Sequence, residues 1–259
     1  MSFLNQKIAL VSGIISKRSI AYGIAEAMYA HGATLILTYQ NERFEERIKD
    51  IASDFGHCRI LPCDVADESA IANLFSTLQQ DISKLDILVH SIAYAPADQI
   101  SGDYLDNVTR DGFLSAHEIS SYSLSAMAKY AKPLMANASS SSVITLSYHG
   151  AQQVLPGYNT MGIAKASLEA SVRYLAHSLG AQKTRVNAIS AGPIRTMAAA
   201  GIKDFKQMLK SSAESAPLPG NVTIEEVGQT AAWLGSDLSQ GITGTVVYVD
   251  NGLHIMGKV

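Results

Sequence analysis

The stretch IALVSGIISKRSIAYGIAEAM, residues 8–28, decides the fold. Its first five residues run apolar without polar alternation, the pattern of a strand covered on both faces. Gly13 follows with a residue suited to a tight turn, and the apolar spacing over 21–31 becomes helical. The same unit recurs along the chain. Runs at 8–12, 34–39, 58–63, 85–91, 142–147, 185–190 and 245–250 read as about seven strands, and 21–31, 41–54, 67–82, 115–135, 160–179 and 223–235 read as helices. Such alternation builds a parallel sheet with helices on both faces, so the expected fold is one doubly wound α/β domain spanning 1–259. The serine-rich ASSSS at 138–142 is expected to be a solvated loop. The long connection 195–221 has a helical pattern of its own and reads as a lid.

Composition narrows the partners. With 47% apolar and 17% charged residues, the 259-residue chain can bury a substantial core. A net charge of −3 and a pI near 6.1 disfavour nucleic acid or an anionic membrane surface and favour small molecules. No apolar run reaches the ~18 residues of a membrane span, and MSFLNQKIALVSG lacks the pattern of a secretory leader, so a cytoplasmic location is expected. Cys58 and Cys63 match no metal or redox spacing and read as buried thiols. The histidines, His149 included, show no ligand spacing, and no metal is expected.

In open parallel sheets, ligands bind beyond the carboxyl ends of the strands. After the first strand, Gly13 permits the turn, Ser19 and the amides of a helix starting near Ile20 suit a pyrophosphate, and Gly23 is expected to let that helix approach the sheet. The spacing is not G-x-G-x-x-G, so alone it equally fits an ordinary strand-to-helix turn. Gln40 stands where an acid usually binds the ribose hydroxyls. Its amide can bond to them but neither repels nor recruits a 2′-phosphate, and although Arg43 is nearby, NADH is preferred to NADPH. Asp64 and Val65 follow the third strand in position for an adenine, and Asp64 reads equally as a helix cap. After the fourth strand, HSIAYAP brings Ser91, Ile92 and Ala95 close to a ligand. After the sixth, ISAGPIRT turns at Gly192 and presents Pro193, Ile194 and Thr196, with Ala198 just beyond. Five strand ends with ligand-suited residues point jointly to a dinucleotide.

The helix after the fifth strand opens with YNTMGIAK, placing Tyr158 seven residues before Lys165. Residues four or seven apart return to nearly the same helical face, about 6 Å or about 10.5 Å along the axis. Either spacing aims a phenol and an ammonium into one cleft. Together SGIISKRSIAYG, HSIA, LSYHG, YNTMGIAKAS and NAISAGPIRT resemble the Rossmann-type short-chain dehydrogenase/reductase superfamily, and within it the bacterial NADH-dependent enoyl-acyl-carrier-protein reductases. The resemblance runs from residue 3 to about 256. Typical superfamily members carry the tyrosine four before the lysine with a serine upstream. The enoyl reductases use the seven spacing, and here Tyr148 occupies the region of that serine.

The resemblance implies reduction of the C2=C3 bond of trans-2-enoyl thioesters on acyl carrier protein, the last step of each fatty acid elongation cycle. It implies that Tyr158 donates the proton, that Tyr148 borders the substrate and that Lys165 holds the nicotinamide ribose. Hydride goes to Cβ and negative charge appears on the thioester oxygen several bonds away, which accounts for a donor that reaches farther from the lysine. Whether the proton passes directly from Tyr158 to Cα or arrives from water stays open. Ser147 is an alternative stand-in for the superfamily serine. The segment 195–221 aligns with the family's substrate-binding loop, in which Ile202 and Phe205 would face the acyl chain. Met161, Met197 and Met208 would line an acyl tunnel or simply fill core. Lys203, Lys206 and Lys210 form a basic stripe that suits an acidic carrier protein or a solvated helix face. Ala93 and Tyr94 depart slightly from the family pattern. A homotetramer built through the helices 115–135 and 160–179 and the last strand is implied as well.

Two other readings compete. A ketoreductase needs a tyrosine four before the lysine, where Met161 stands, and a silent dinucleotide-binding scaffold would have lost Tyr158 or Lys165.

Overall fold

The computed structural model describes residues 2–196 and 205–257. Seven strands, β1 (Ile8–Ser12), β2 (Thr34–Tyr39), β3 (Arg59–Pro62), β4 (Ile87–His90), β5 (Ser141–Ser147), β6 (Thr184–Ala191) and β7 (Val246–Val249), form one sheet in the order β3-β2-β1-β4-β5-β6-β7. Every neighbouring pair is parallel. The helices are α1 (Ile20–Ala30), α2 (Glu42–Ala52), α3 (Glu68–Asp81), α4 (Tyr104–Asn107), α5 (Arg110–His117), α6 (Ser123–Ala136), α7 (Asn159–Gly180), α8 (Phe205–Ser215) and α9 (Ile224–Gly235). None of the described helices is long and apolar enough to cross a membrane.

The apolar strands are buried on both faces because side chains alternate across a sheet that has a core on each side. Ala9, Val11, Ile87 and Val89 pack with Ile24, Met28, Ile48 and Val227 of α1, α2 and α9. Leu10 and Leu88, between them in sequence, pack with Phe75, Met127, Leu168 and Val172 of α3, α6 and α7. Strand order reverses at β1, which pairs with both β2 and β4, and the crevice of a doubly wound sheet opens there.

Three local expectations are corrected. The helix expected over 115–135 starts earlier, as α5, and a π-turn at Glu118–Tyr122 joins it to α6. The serine run is not all solvated loop. Ser141 and Ser142 are buried in β5, where Ser141 Oγ shares a 2.7 Å hydrogen bond with Thr184 Oγ1 and Ser142 Oγ donates to the Leu234 carbonyl at 2.9 Å. Polar composition suggested exposure, but hydroxyls with partners can be buried at little cost. Gly23 faces α9 rather than the sheet. A Cβ there would lie 2.3 Å from the Ile224 carbonyl oxygen, and one on Gly228 would lie 2.2 Å from that of Gly23, so the two glycines let α1 and α9 meet.

Candidate active site

A cleft of about 760 Å³ lies at the carboxyl edge of the sheet. The end of β1 contributes Gly13, and the start of α1 contributes Ser19 and Ile20. Gln40 comes from β2, Asp64 and Val65 from β3, Ser91, Ile92 and Ala95 from β4, and Pro193, Ile194 and Thr196 from β6. Tyr148, Tyr158, Met161, Lys165 and Phe205 complete the wall, so the structure gathers the sequence-derived residues in one place. Ala198 and Ile202 lie outside the described residues, as do Met197 and Lys203.

The nucleotide side is built largely from backbone. Gly13 adopts φ +90°, and a Cβ would fall 1.9 Å from the Ser91 carbonyl oxygen, so only glycine lets the β1 turn pass the end of β4. Ser19 caps α1, accepting from the Tyr22 amide at 3.3 Å and donating to the Ser16 carbonyl at 2.7 Å, so the N-terminal end of the helix meets the cleft. Asp64 accepts from the Ala66 amide at 3.0 Å and from Gln40 Nε2 at 3.1 Å. It therefore fixes a turn and orients Gln40, while the cap of α3 is Asp67. Phe44 lines the same end, with the Arg43 and Arg47 guanidinium carbons 6.0 and 5.9 Å from its ring centre. Cys63 also lines the cleft, and burial pushes its thiol and that of the half-buried Cys58 up to about 12. Both are inert in that state.

The opposite wall joins β5 to α7. Tyr148 follows the last residue of β5, and Tyr158 is the residue before α7. Their rings meet edge to face, 5.1 Å apart at 71°. Burial pushes both phenols up, Tyr148 to about 12 and Tyr158 further, so both keep their protons at neutral pH. No described residue hydrogen-bonds the Tyr158 hydroxyl, whereas that of Tyr148 donates to Met208 Sδ of α8 at 3.3 Å. Lys165, 5% exposed, donates to the Leu146 carbonyl at 2.6 Å. Burial pulls its ammonium down to about 8, and the Glu169 carboxylate opposes the fall.

Beneath this wall the π-turn clamps the loop after β4. Ser120 Oγ accepts from the Tyr94 amide and donates to its carbonyl, each at 2.9 Å, and Ser121 bonds to Ser167 of α7 at 2.9 Å. His90, fully buried, reaches Ser123 at 2.7 Å and Thr145 at 3.0 Å, and burial with the nearby Lys165 charge drives it down to about 3. It is a neutral structural group.

Sequence reasoning missed Ile14, Ile15, Phe44, Ile100, Ile119 and Leu146 as cleft residues. It also missed two glycines. A Cβ on Gly150 would sit 2.4 Å from the Tyr158 ring, and one on Gly162 would sit 2.7 Å from the Gly150 carbonyl oxygen. Both stand inside quoted motifs, LSYHG and YNTMGIAK, where their position was the available signal. Lys206 and Lys210 are exposed on α8, and Lys210 lies 3.9 Å from Glu214. Among the described residues no cluster of His, Cys, Asp and Glu could hold a metal ion.

A doubly wound parallel sheet whose crevice holds a tyrosine and a lysine on the helix after its fifth strand defines a Rossmann-type short-chain oxidoreductase. More narrowly, the chain belongs to the family described as Enoyl-(Acyl carrier protein) reductase, which matches residues 13–254. It is 52% identical to the Salmonella typhimurium enoyl-[acyl-carrier-protein] reductase [NADH] FabI, over 98% of this chain and 97% of that one. A crystal structure of the Bacillus cereus enoyl-acyl carrier protein reductase with NADP+ and indole naphthyridinone superposes with a TM-score of 0.97 at 45% identity, covering all of both chains. The Aquifex aeolicus VF5 enoyl-[acyl-carrier-protein] reductase (NADH) gives 0.95 at 46% identity, over 99% of this chain and 100% of that one.

Proposed function

We infer that this protein is an NADH-dependent enoyl-acyl-carrier-protein reductase. It reduces the C2=C3 bond of trans-2-enoyl thioesters in the last step of each fatty acid elongation cycle. The observation that carries the site assignment is the pairing of Tyr158, its hydroxyl free of any described protein partner, with the buried Lys165 in one cleft.

The cleft fits a dinucleotide. Its volume, about 760 Å³, lies in the range of cofactor sites, and the glycine-dependent approach at Gly13 leaves the start of α1 facing the cleft. Ser19, Ile20 and the backbone of Pro193, Ile194 and Thr196 would hold the pyrophosphate and amide portions. Gln40, Asp64 and Val65 would hold the adenosine, and Lys165 the nicotinamide ribose hydroxyls, with Ser91 and Ile92 alongside. When bound, the dihydronicotinamide supplies the hydride for Cβ.

The chain's own residues meet the charge this creates. Tyr158 donates to the thioester oxygen, where negative charge develops, and its raised affinity for the proton keeps it a donor throughout the neutral range. Lys165 adds a fixed cation, and Tyr148 packs against the Tyr158 ring and the substrate. Ala95 and Met161 border the acyl chain on one side. On the other, α8 acts as the described part of a lid, with Phe205 facing the chain. The Tyr148 contact to Met208 supports that reading, because it brings α8 onto the substrate wall. The protein works as a cytoplasmic homotetramer joined through α5–α6, α7 and β7. Leu114 and Tyr174, 59% and 78% exposed on α5 and α7, support apolar contact between copies there.

The test is loss of NADH absorbance with crotonyl and acetoacetyl thioesters offered in parallel, each repeated with NADPH. Oxidation with the crotonyl thioester and NADH is expected. Oxidation with acetoacetyl alone would make the protein a ketoreductase, and silence with both despite NADH binding would make it a scaffold.

A further inference from the structure

One buried ionisable group behind the cleft wall has no part in the chemistry above. Glu169 lies four residues beyond Lys165 on α7 and is 6% exposed. That spacing puts the two side chains on one face of the helix. Ser147 Oγ donates to Glu169 Oε1 at 2.6 Å and Gln152 Nε2 donates to Oε2 at 3.1 Å. Both oxygens accept, which is how an ionised carboxylate bonds. Gln152 is itself oriented, because Tyr248 donates to its Oε1 at 2.6 Å and leaves the amide nitrogen for Glu169. Both donors to the Glu169 carboxylate are neutral, and the cation beside it on α7, Arg173, gives its Nη1 hydrogen bond to the Glu169 backbone carbonyl at 3.1 Å, so the carboxylate charge remains for other groups to meet.

We propose that Glu169 is a positioning residue for the reduction, anchoring the end of β5 and supplying the counter-charge for Lys165. The proposal rests on the role given to Lys165 above. The strand end carries three consecutive attachments. The Leu146 carbonyl takes the Lys165 ammonium at 2.6 Å, Ser147 is tied to Glu169, and Tyr148 enters the cleft. Moving Glu169 therefore moves both the lysine's acceptor and the tyrosine's backbone. A buried ammonium is also disfavoured unless an anion stands near it. Burial already draws Lys165 down to about 8 with the Glu169 carboxylate holding it up. The other titratable groups facing Lys165 are Tyr148 and Tyr158, both neutral, and His90 of β4, neutral as well. Glu169 is thus the anion available to it among the described residues.

The test compares Glu169→Gln and Glu169→Asp with the parent enzyme from pH 6 to 10. NADH affinity is read by protein fluorescence and kcat/KM with crotonyl thioester is read in parallel. Glutamine keeps the shape and an acceptor for Ser147 but removes the charge. Its alkaline limb is expected to move down by about one pH unit in both readouts, with most activity kept at pH 6. Aspartate keeps the charge, and its limb is expected to stay within a few tenths of a unit. A glutamine profile superimposed on that of the parent, or an aspartate profile shifted equally far, would overturn the proposal. If glutamine prevents folding, Ser147→Ala takes its place: it unties the end of β5 from the Glu169 carboxylate and is expected to lower kcat/KM, and a profile superimposed on that of the parent would overturn the proposal. The binding readout needs no turnover, so a protein inactive toward the enoyl thioester would refute the reaction while the role of Glu169 is still judged.

Discussion

Two helices face the same cleft and are anchored in opposite ways. In α7, ten residues are buried, from Thr160 to Leu179, and Lys165 and Glu169 are among them. In α8 none is buried, although Phe205 lines the cleft and Met208 touches Tyr148. The groups proposed to meet developing charge, Tyr158 and Lys165, sit at the start of the deeply packed helix and on it. Those that would contact an acyl chain of variable length sit on one that packing leaves less constrained. A rigid wall for chemistry and an adaptable wall for substrate follow from where the apolar surface was placed.

The contrast is tested hardest at the rigid wall. Lys165→Ala is expected to weaken NADH binding and lower turnover together, because one cation serves both. Tyr158→Phe is expected to lower kcat by about 10²- to 10³-fold, the usual cost of one oxyanion donor, with NADH affinity nearly unchanged. Steady-state kinetics alongside fluorescence titration separates the two, and equal behaviour of the variants would remove the roles assigned to both residues.

Next comes the scaffold of the tyrosine. Gly150→Ala puts a methyl group where the Tyr158 ring now lies, since the built Cβ falls 2.4 Å from Cδ1. The ring has to shift, and a displacement near 1 Å is expected to cost on the order of 10²-fold in kcat. The NADH KM should move less than kcat, because apart from Lys165 the residues given to the cofactor lie at other strand ends of the cleft. A variant as active as the parent would mean that the ring position is not critical.

The difference between what could and could not be read from the sequence has the same physical origin. Parallel-strand apolarity located β1 and β2 to the residue, and strand-end logic gathered Gly13, Gln40, Asp64 and Thr196 because a doubly wound sheet has one ligand-bearing edge. Tyr158 and Lys165 stood out because two reactive groups at helical spacing within one motif are visible in one dimension. Glu169 did not, since its meaning depends on Ser147 and Gln152, brought in from the end of β5 and the turn after it. Gly150 and Gly23 needed three dimensions too. Each is defined by the backbone or ring that approaches it. Ser141 and Ser142 misled because their partners, Thr184 and Leu234, lie 43 and 92 residues away.

The smallest effect is expected on the adaptable wall. Phe205 is the first residue of α8 and is only partly buried, so Phe205→Ala removes cleft lining without opening a core cavity. For a crotonyl thioester, too short to reach far along the cleft, kcat and KM should stay within about twofold of the parent. For a long-chain enoyl thioester, loss of about 1 kcal/mol of apolar contact should raise KM roughly fivefold with kcat held. Thermal midpoints should agree within about 2 °C, because α8 contributes no buried side chain to the fold. A Phe205→Ala enzyme that lost kcat on the short substrate would place α8 in the chemistry and remove the division of labour between the two helices. An effect that grows with chain length, from crotonyl through octenoyl to dodecenoyl thioesters, would sharpen the division into a measure of how far along the acyl chain α8 reaches.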